Sequence, residues 1–204
     1  MISQWVRTWY SKVVDPFLKI LASFGVTANM LTTASMLIII VAGILLSLGE
    51  LILGAGVLMF GAFLDGIDGE LARLSGGKSS LGGFLDSICD HIGDFAIYLG
   101  LLIPYLHRDA FVETILIFVA MFASVFGSHV RSRAGMVAID TKAIGIFTRF
   151  ERIFLLFLCL LIGKVIIALW GLAIFNSLSA LQRVIYTVQA YRKQNHTVQS
   201  PGTL

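Results

Sequence analysis

Charged side chains are scarce. Lys, Arg, Asp and Glu make up 13% of the 204 residues, about half the share that a soluble domain carries. That shortage excludes a globule whose whole surface meets water. Proline is limited to three residues, so long helices meet few breaks. The two cysteines, Cys89 and Cys159, both fall in apolar stretches and show no paired spacing. This excludes a disulfide framework and a thiolate metal site, and leaves them as small core residues. No basic tract interleaved with aromatics is present, which sets nucleic acid aside as a partner. Nor does the stretch 1–25 offer the uninterrupted apolar run of a cleavable signal. Arg7, Lys12 and Lys19 alternate there with Trp5, Trp9, Phe17 and Leu21.

Apolar residues fill the space that charge leaves. They are 57% of the chain, with a mean hydropathy of +0.90, and they come in runs near the ~20 residues that a membrane-crossing helix needs. The pattern predicts an all-α integral membrane bundle of six transmembrane helices, preceded by an N-terminal interfacial amphipathic helix at about 3–23. The spans are expected at about 28–48, 51–73, 82–106, 111–134, 150–163 and 165–190. Residues 1–190 then form a single membrane domain, and the polar tail 191–204 is expected to be disordered. This layout sends every Lys and Arg to one side except Arg108 and Lys164. So lopsided a division places both termini on the cytoplasmic side of the cytoplasmic membrane.

The acids that remain sit where they are costly. Asp65, Asp68, Asp86, Asp90 and Asp94 all fall within or at the edge of expected spans, and an intramembrane carboxylate needs a compensating partner. Spacings of three and four residues put each set on one helix face. Four carboxylates converging near the interface suit hard divalent cations, with room for two ions. A lone aspartate there is often a helix contact, and intramembrane acids also mark cation or proton transport. The glycines favour an enzyme over a transporter. Gly66, Gly69, Gly82 and Gly83 lie among the acids, and glycine inside a helix costs ~1 kcal/mol relative to alanine. Bare backbone admits a bulky ligand, a clearance that a passing ion does not need.

The run Asp65-x-x-Asp68-Gly69-x-x-Ala72-Arg73, eight residues, then Gly82-x-x-x-Asp86-x-x-x-Asp90 resembles the signature of the CDP-alcohol phosphotransferase family. The resemblance implies that Asp65, Asp68 and Asp86 ligate two divalent ions, Mg²⁺ or Mn²⁺, with Asp90 shared between metal binding and base catalysis. It implies that Asp68, Gly69, Ala72, Arg73 and Gly82 hold the cytidine diphosphate of a CDP-diacylglycerol-type lipid. It also implies transfer of a phosphatidyl-type group to an alcohol with release of CMP, and a homodimer among membrane lipids.

The acceptor is read from weaker signals. Gly83-Phe84-Leu85-Asp86-Ser87-Ile88-Cys89-Asp90-His91 is similar to the corresponding run of the inositol-phosphate-using synthases, with His91 where those relatives carry arginine. Ser128-His129-Val130-Arg131-Ser132-Arg133-Ala134, Arg149-Phe150-Glu151-Arg152 and Gln182-Arg183 resemble their later motifs, with Gly135 in place of an acid. Guanidinium groups grip phosphate bidentately, so these cations point to a small phosphorylated polyol, inositol phosphate first. Ser128, Arg133, Arg149, Arg152 and Arg183 are the candidate phosphate ligands, and Arg131 is a bystander. Glycerol 3-phosphate or serine are the alternative acceptors within the family.

Overall fold

The computed structural model describes residues 16, 18, 20–74, 77, 79–141 and 144–199, with side chains described as far as 194. Every regular element among them is helical. Of the expected interfacial helix, 3–15, 17 and 19 lie outside the described residues, and 20–23 are helical. Six helices follow: α1 (Ala28–Ser47), α2 (Leu51–Leu74), α3 (Ser80–Leu106), α4 (Phe111–Met136), α5 (Arg149–Leu161) and α6 (Val165–Gln199).

Local chemistry sets the ends. Thr27 caps α1, its hydroxyl accepting from the Met30 amide at 3.3 Å. Gly49 reverses the chain after α1 with φ +83°, in the left-handed region that favours glycine. Thr148 and Glu151 form a capping box on α5, each side chain bonding the other's backbone amide.

Among the described residues, five helices are long and apolar enough to cross a membrane: α1, α2, α3, α4 and α6, the last over Val165–Gln194. The fifth expected span departs from this. α5 has 13 residues, or about 20 Å at ~1.5 Å per residue, against a hydrocarbon core of about 30 Å. The polar tail is also corrected in part, since α6 runs on to Gln199. No proline interrupts it before Pro201, and Ala190, Arg192, Lys193 and Gln194 are good helix formers. Residues 200–204 lie outside the described residues.

The chain divides into two compact units, 1–100 and 101–204. In the first, α1 packs along α2. Leu18, Leu31, Leu64, Ile67 and Leu71 form a buried cluster beneath the acidic end of α2. α3 comes so close to α1 that a Cβ on Gly100 would overlap the Gly43 carbonyl. In the second unit, α6 packs against α4 and α5. Large apolar side chains such as Ile52, Phe60, Phe122 and Trp170 are half or more exposed. Exposure of this kind suits hydrocarbon as the solvent.

Candidate active site

Asp65 and Asp68 stand on α2, and Asp86 on α3, so two consecutive helices deliver the acids. One carboxylate oxygen from each of the three lies within 4.8 Å of the others. Two oxygens on a single Mg²⁺ at ~2.1 Å can be at most about 4.2 Å apart. Small side-chain rotations therefore bring this set onto a hard cation, and the donors fit the metal that the sequence implies. Asp68 is buried, and Asp65 and Asp86 are partly so. Asp90, one turn beyond Asp86 on α3, is half-buried and falls outside the triad.

Asp68 and Asp86 border a cavity of about 190 Å³ that Gly69, Ala72 and Gly82 also line, among others. Four of the five residues assigned to the cytidine diphosphate thus share one space. The fifth, Arg73, does not line it: its guanidinium meets Glu70 at 3.3 Å in an exposed i,i+3 pair. Gly83 lines the cavity too, whereas Gly66 does not. At Gly82 an added Cβ would lie 3.0 Å from Ser79 Oγ and 3.2 Å from Asn29 Oδ1, so glycine holds that wall open.

Sequence reasoning missed the wall supplied by the start of α1, namely Thr27, Ala28, Asn29 and Thr32. Thr32, itself buried, places its hydroxyl 2.5 Å from Asp68 Oδ2. A signal was present: Thr27 is a capping residue opening an apolar run, and Asn29 and Thr32 are polar positions within it. Ser79 also lines the cavity, and its hydroxyl accepts from the Gly82 amide at 2.9 Å, which caps the start of α3.

In the second unit the candidate phosphate ligands separate into groups. Arg183, on α6, donates from Nε to the Ile144 carbonyl at 2.9 Å and from a terminal nitrogen to the Gly127 carbonyl at 3.0 Å. A Cβ at Gly127 or Gly145 would press on that guanidinium at 3.3 and 3.0 Å, so the two glycines form its cradle. Arg152, on α5, donates to the Ser124 hydroxyl on α4. Ser128 follows Gly127 on α4 and is half-buried, as is Arg149 at the start of α5. Arg133 stands apart, exposed in the last turn of α4 with a nitrogen 3.5 Å from Met136 Sδ. Asn176 donates to the Ala120 carbonyl at 3.2 Å, a buried tie between α6 and α4.

The comparisons agree with this geometry. Residues 25–182 match the family model described as CDP-alcohol phosphatidyltransferase. The archaetidylinositol phosphate synthase of Pyrococcus horikoshii is 39% identical over 166 residues, covering 81% of this chain and 86% of that protein. The crystal structure of Mycobacterium tuberculosis phosphatidylinositol phosphate synthase with CDP-DAG bound has a TM-score of 0.80 at 24% identity, covering 86% of this chain and 94% of that one. That likeness shows the fold. The same enzyme in complex with manganese and citrate gives a TM-score of 0.76 at 25% identity, covering 85% and 88%. The acids that looked anomalous inside a membrane are thus the mark of an enzyme, and the chain belongs to the CDP-alcohol phosphatidyltransferase family.

Proposed function

We propose that this enzyme moves a phosphatidyl-type group, or its ether-lipid counterpart, from a CDP-linked lipid to inositol phosphate, with release of CMP. The observation that carries the reading is the shared cavity of Asp68, Gly69, Ala72, Gly82 and Asp86, beside the Asp65–Asp68–Asp86 triad. The name of the Pyrococcus horikoshii relative, an archaetidylinositol phosphate synthase, supports the choice of acceptor.

In this reading Asp65, Asp68 and Asp86 hold two divalent ions, Mg²⁺ or Mn²⁺, and a manganese complex of the mycobacterial enzyme supports a divalent cation. When bound, such ions polarise the pyrophosphate and take up the charge of departing CMP. The nucleotide occupies the cavity, and the acyl or ether chains stay in lipid. Arg73 serves the donor's phosphates. Its exposed pair with Glu70 is worth only about 0–1 kcal/mol, so a diphosphate displaces it readily. A hydroxyl of the acceptor attacks the lipid-linked phosphorus in line and forms the new P–O bond. The P–O bond to CMP breaks, and Asp90 takes the hydroxyl proton. Asp90 is assigned that task because it stands one turn beyond Asp86 on α3 and ends the motif. Ser128, Arg149, Arg152 and Arg183 are assigned to the acceptor's phosphate. The whole of 1–190 acts as one catalytic domain.

The topology belongs to the same proposal. Charge asymmetry supports six crossings, with short α5 as the fifth and both termini in the cytoplasm. An acceptor panel tests the function: purified enzyme, a radiolabelled CDP-lipid, and inositol phosphate, glycerol 3-phosphate or serine. Metal-dependent CMP release with inositol phosphate at least tenfold above the others is expected. Preference for glycerol 3-phosphate or serine would move the enzyme to another subgroup.

A further inference from the structure

Thr32 lies on α1, a helix that contributes none of the metal-binding acids, yet its hydroxyl stands 2.5 Å from Asp68 Oδ2 across 36 residues of sequence. The same oxygen is 3.0 Å from the Ala28 carbonyl one turn back. A hydroxyl carries one proton, so it can donate to only one of these acceptors. The Ala28 carbonyl lies one helical turn before Thr32, where the Thr32 backbone amide serves it in a regular helix. The carboxylate, nearer and charged, is the stronger acceptor. Thr32 and Asp68 are both buried, at 4% and 8% exposure, so water competes weakly for the bond.

From this geometry we infer that Thr32 is a positioning residue for the metal site. Its hydroxyl holds Asp68 Oδ2 and so fixes the plane of a carboxylate that belongs to the acid triad. The inference rests on the metal reading of the acid triad. Ligand carboxylates are commonly oriented by such hydrogen-bond partners, and loss of one costs ~10–100-fold in metal affinity or activity. Because Thr32 also lines the cavity, the test must separate a role toward the metal from a contact with the nucleotide.

Mn²⁺ titration of the purified, substrate-free enzyme, followed by electron paramagnetic resonance of the free ion, provides that separation. Thr32→Val keeps the side chain's shape and removes the hydroxyl, and Thr32→Ser restores it. The expected result is a ~10–100-fold weaker Mn²⁺ affinity in Thr32→Val, with Thr32→Ser within about threefold of the parent. The Mn²⁺ concentration for half-maximal turnover should rise in step, while KM for the CDP-lipid at saturating metal changes little. Should Thr32→Val fail to fold, Thr32→Ala against Thr32→Ser carries the same comparison. Unchanged Mn²⁺ affinity in the variant without the hydroxyl would overturn the inference, as would equal losses in the Val and Ser variants. A parent enzyme that binds no Mn²⁺ at all would instead defeat the metal reading on which it stands.

Discussion

The two units bring their polar groups together in different ways. In the first, the acids come from α2 and α3, helices joined by a short loop, and their spacing in the chain already places them on common faces. In the second, α4 receives Arg152 from 28 residues away and Arg183 from 56. Two of those acids, Asp68 and Asp86, line a cavity. Arg183 and Arg152, by contrast, bond to backbone carbonyls and a serine hydroxyl of their own unit. Local spacing therefore built a site for chemistry, and long-range contacts built a scaffold that also presents cations.

If that contrast is right, losses in the first unit should be the largest. Asp68→Asn and Asp86→Asn should each reduce CMP release to background and remove measurable Mn²⁺ binding, since both donors belong to the triad. Asp90→Asn should behave differently, lowering kcat by ~10²–10⁴-fold as loss of a general base does. Mn²⁺ binding and CDP-lipid binding should survive in that variant. Loss of Mn²⁺ binding in Asp90→Asn would make Asp90 a ligand and merge the two roles. Full activity would remove it from the mechanism.

Arg183 is the sharper test of the second unit. Its two backbone bonds need the guanidinium fork, which lysine cannot reproduce. A hydrogen bond to a charged group contributes about 1.5–3 kcal/mol, so Arg183→Lys should cost roughly 10- to 100-fold in kcat/KM for the acceptor. KM for the CDP-lipid should stay within about threefold, as a role confined to the acceptor requires. Equal effects on both substrates would reduce Arg183 to a support of the whole fold.

Much of this was legible in the chain and some was not, for physical reasons. The starts and ends of α1 to α4 fall within two residues of the expected spans, because apolar runs bounded by Thr27, Gly49 and the His107–Asp109 turn leave little choice. The acids of the triad were legible because Asp65 and Asp68, three apart, share a helix face and Asp86 opens the next apolar span. The length of α5 was not. The run Arg149–Leu161 continues in sequence into Ile162-Gly163-Lys164, and only the turn at Gly163, φ +66°, ends the helix. The Thr32–Asp68 bond was hidden because a threonine in an apolar span reads as filler until α1 is laid against α2. The carbonyl ties of Arg183 were equally hidden, since backbone acceptors carry no sequence signature.

The smallest effect should come from Arg133, and there the contrast can be broken most cheaply. Sequence groups it with Arg149, Arg152 and Arg183, yet the structure leaves it exposed at the end of α4, touching a methionine sulfur at 3.5 Å. Sulfur is a weak acceptor, and a cation in a last turn gains chiefly from the helix dipole, a gain that salt screens. Surface changes of this kind usually stay within about 0.5 kcal/mol, so Arg133→Ala should alter acceptor KM by about twofold or less. A tenfold rise, with CDP-lipid KM unchanged, would place Arg133 among the phosphate ligands. Exposure in the substrate-free enzyme would then be a poor guide to which cations of the second unit bind the acceptor.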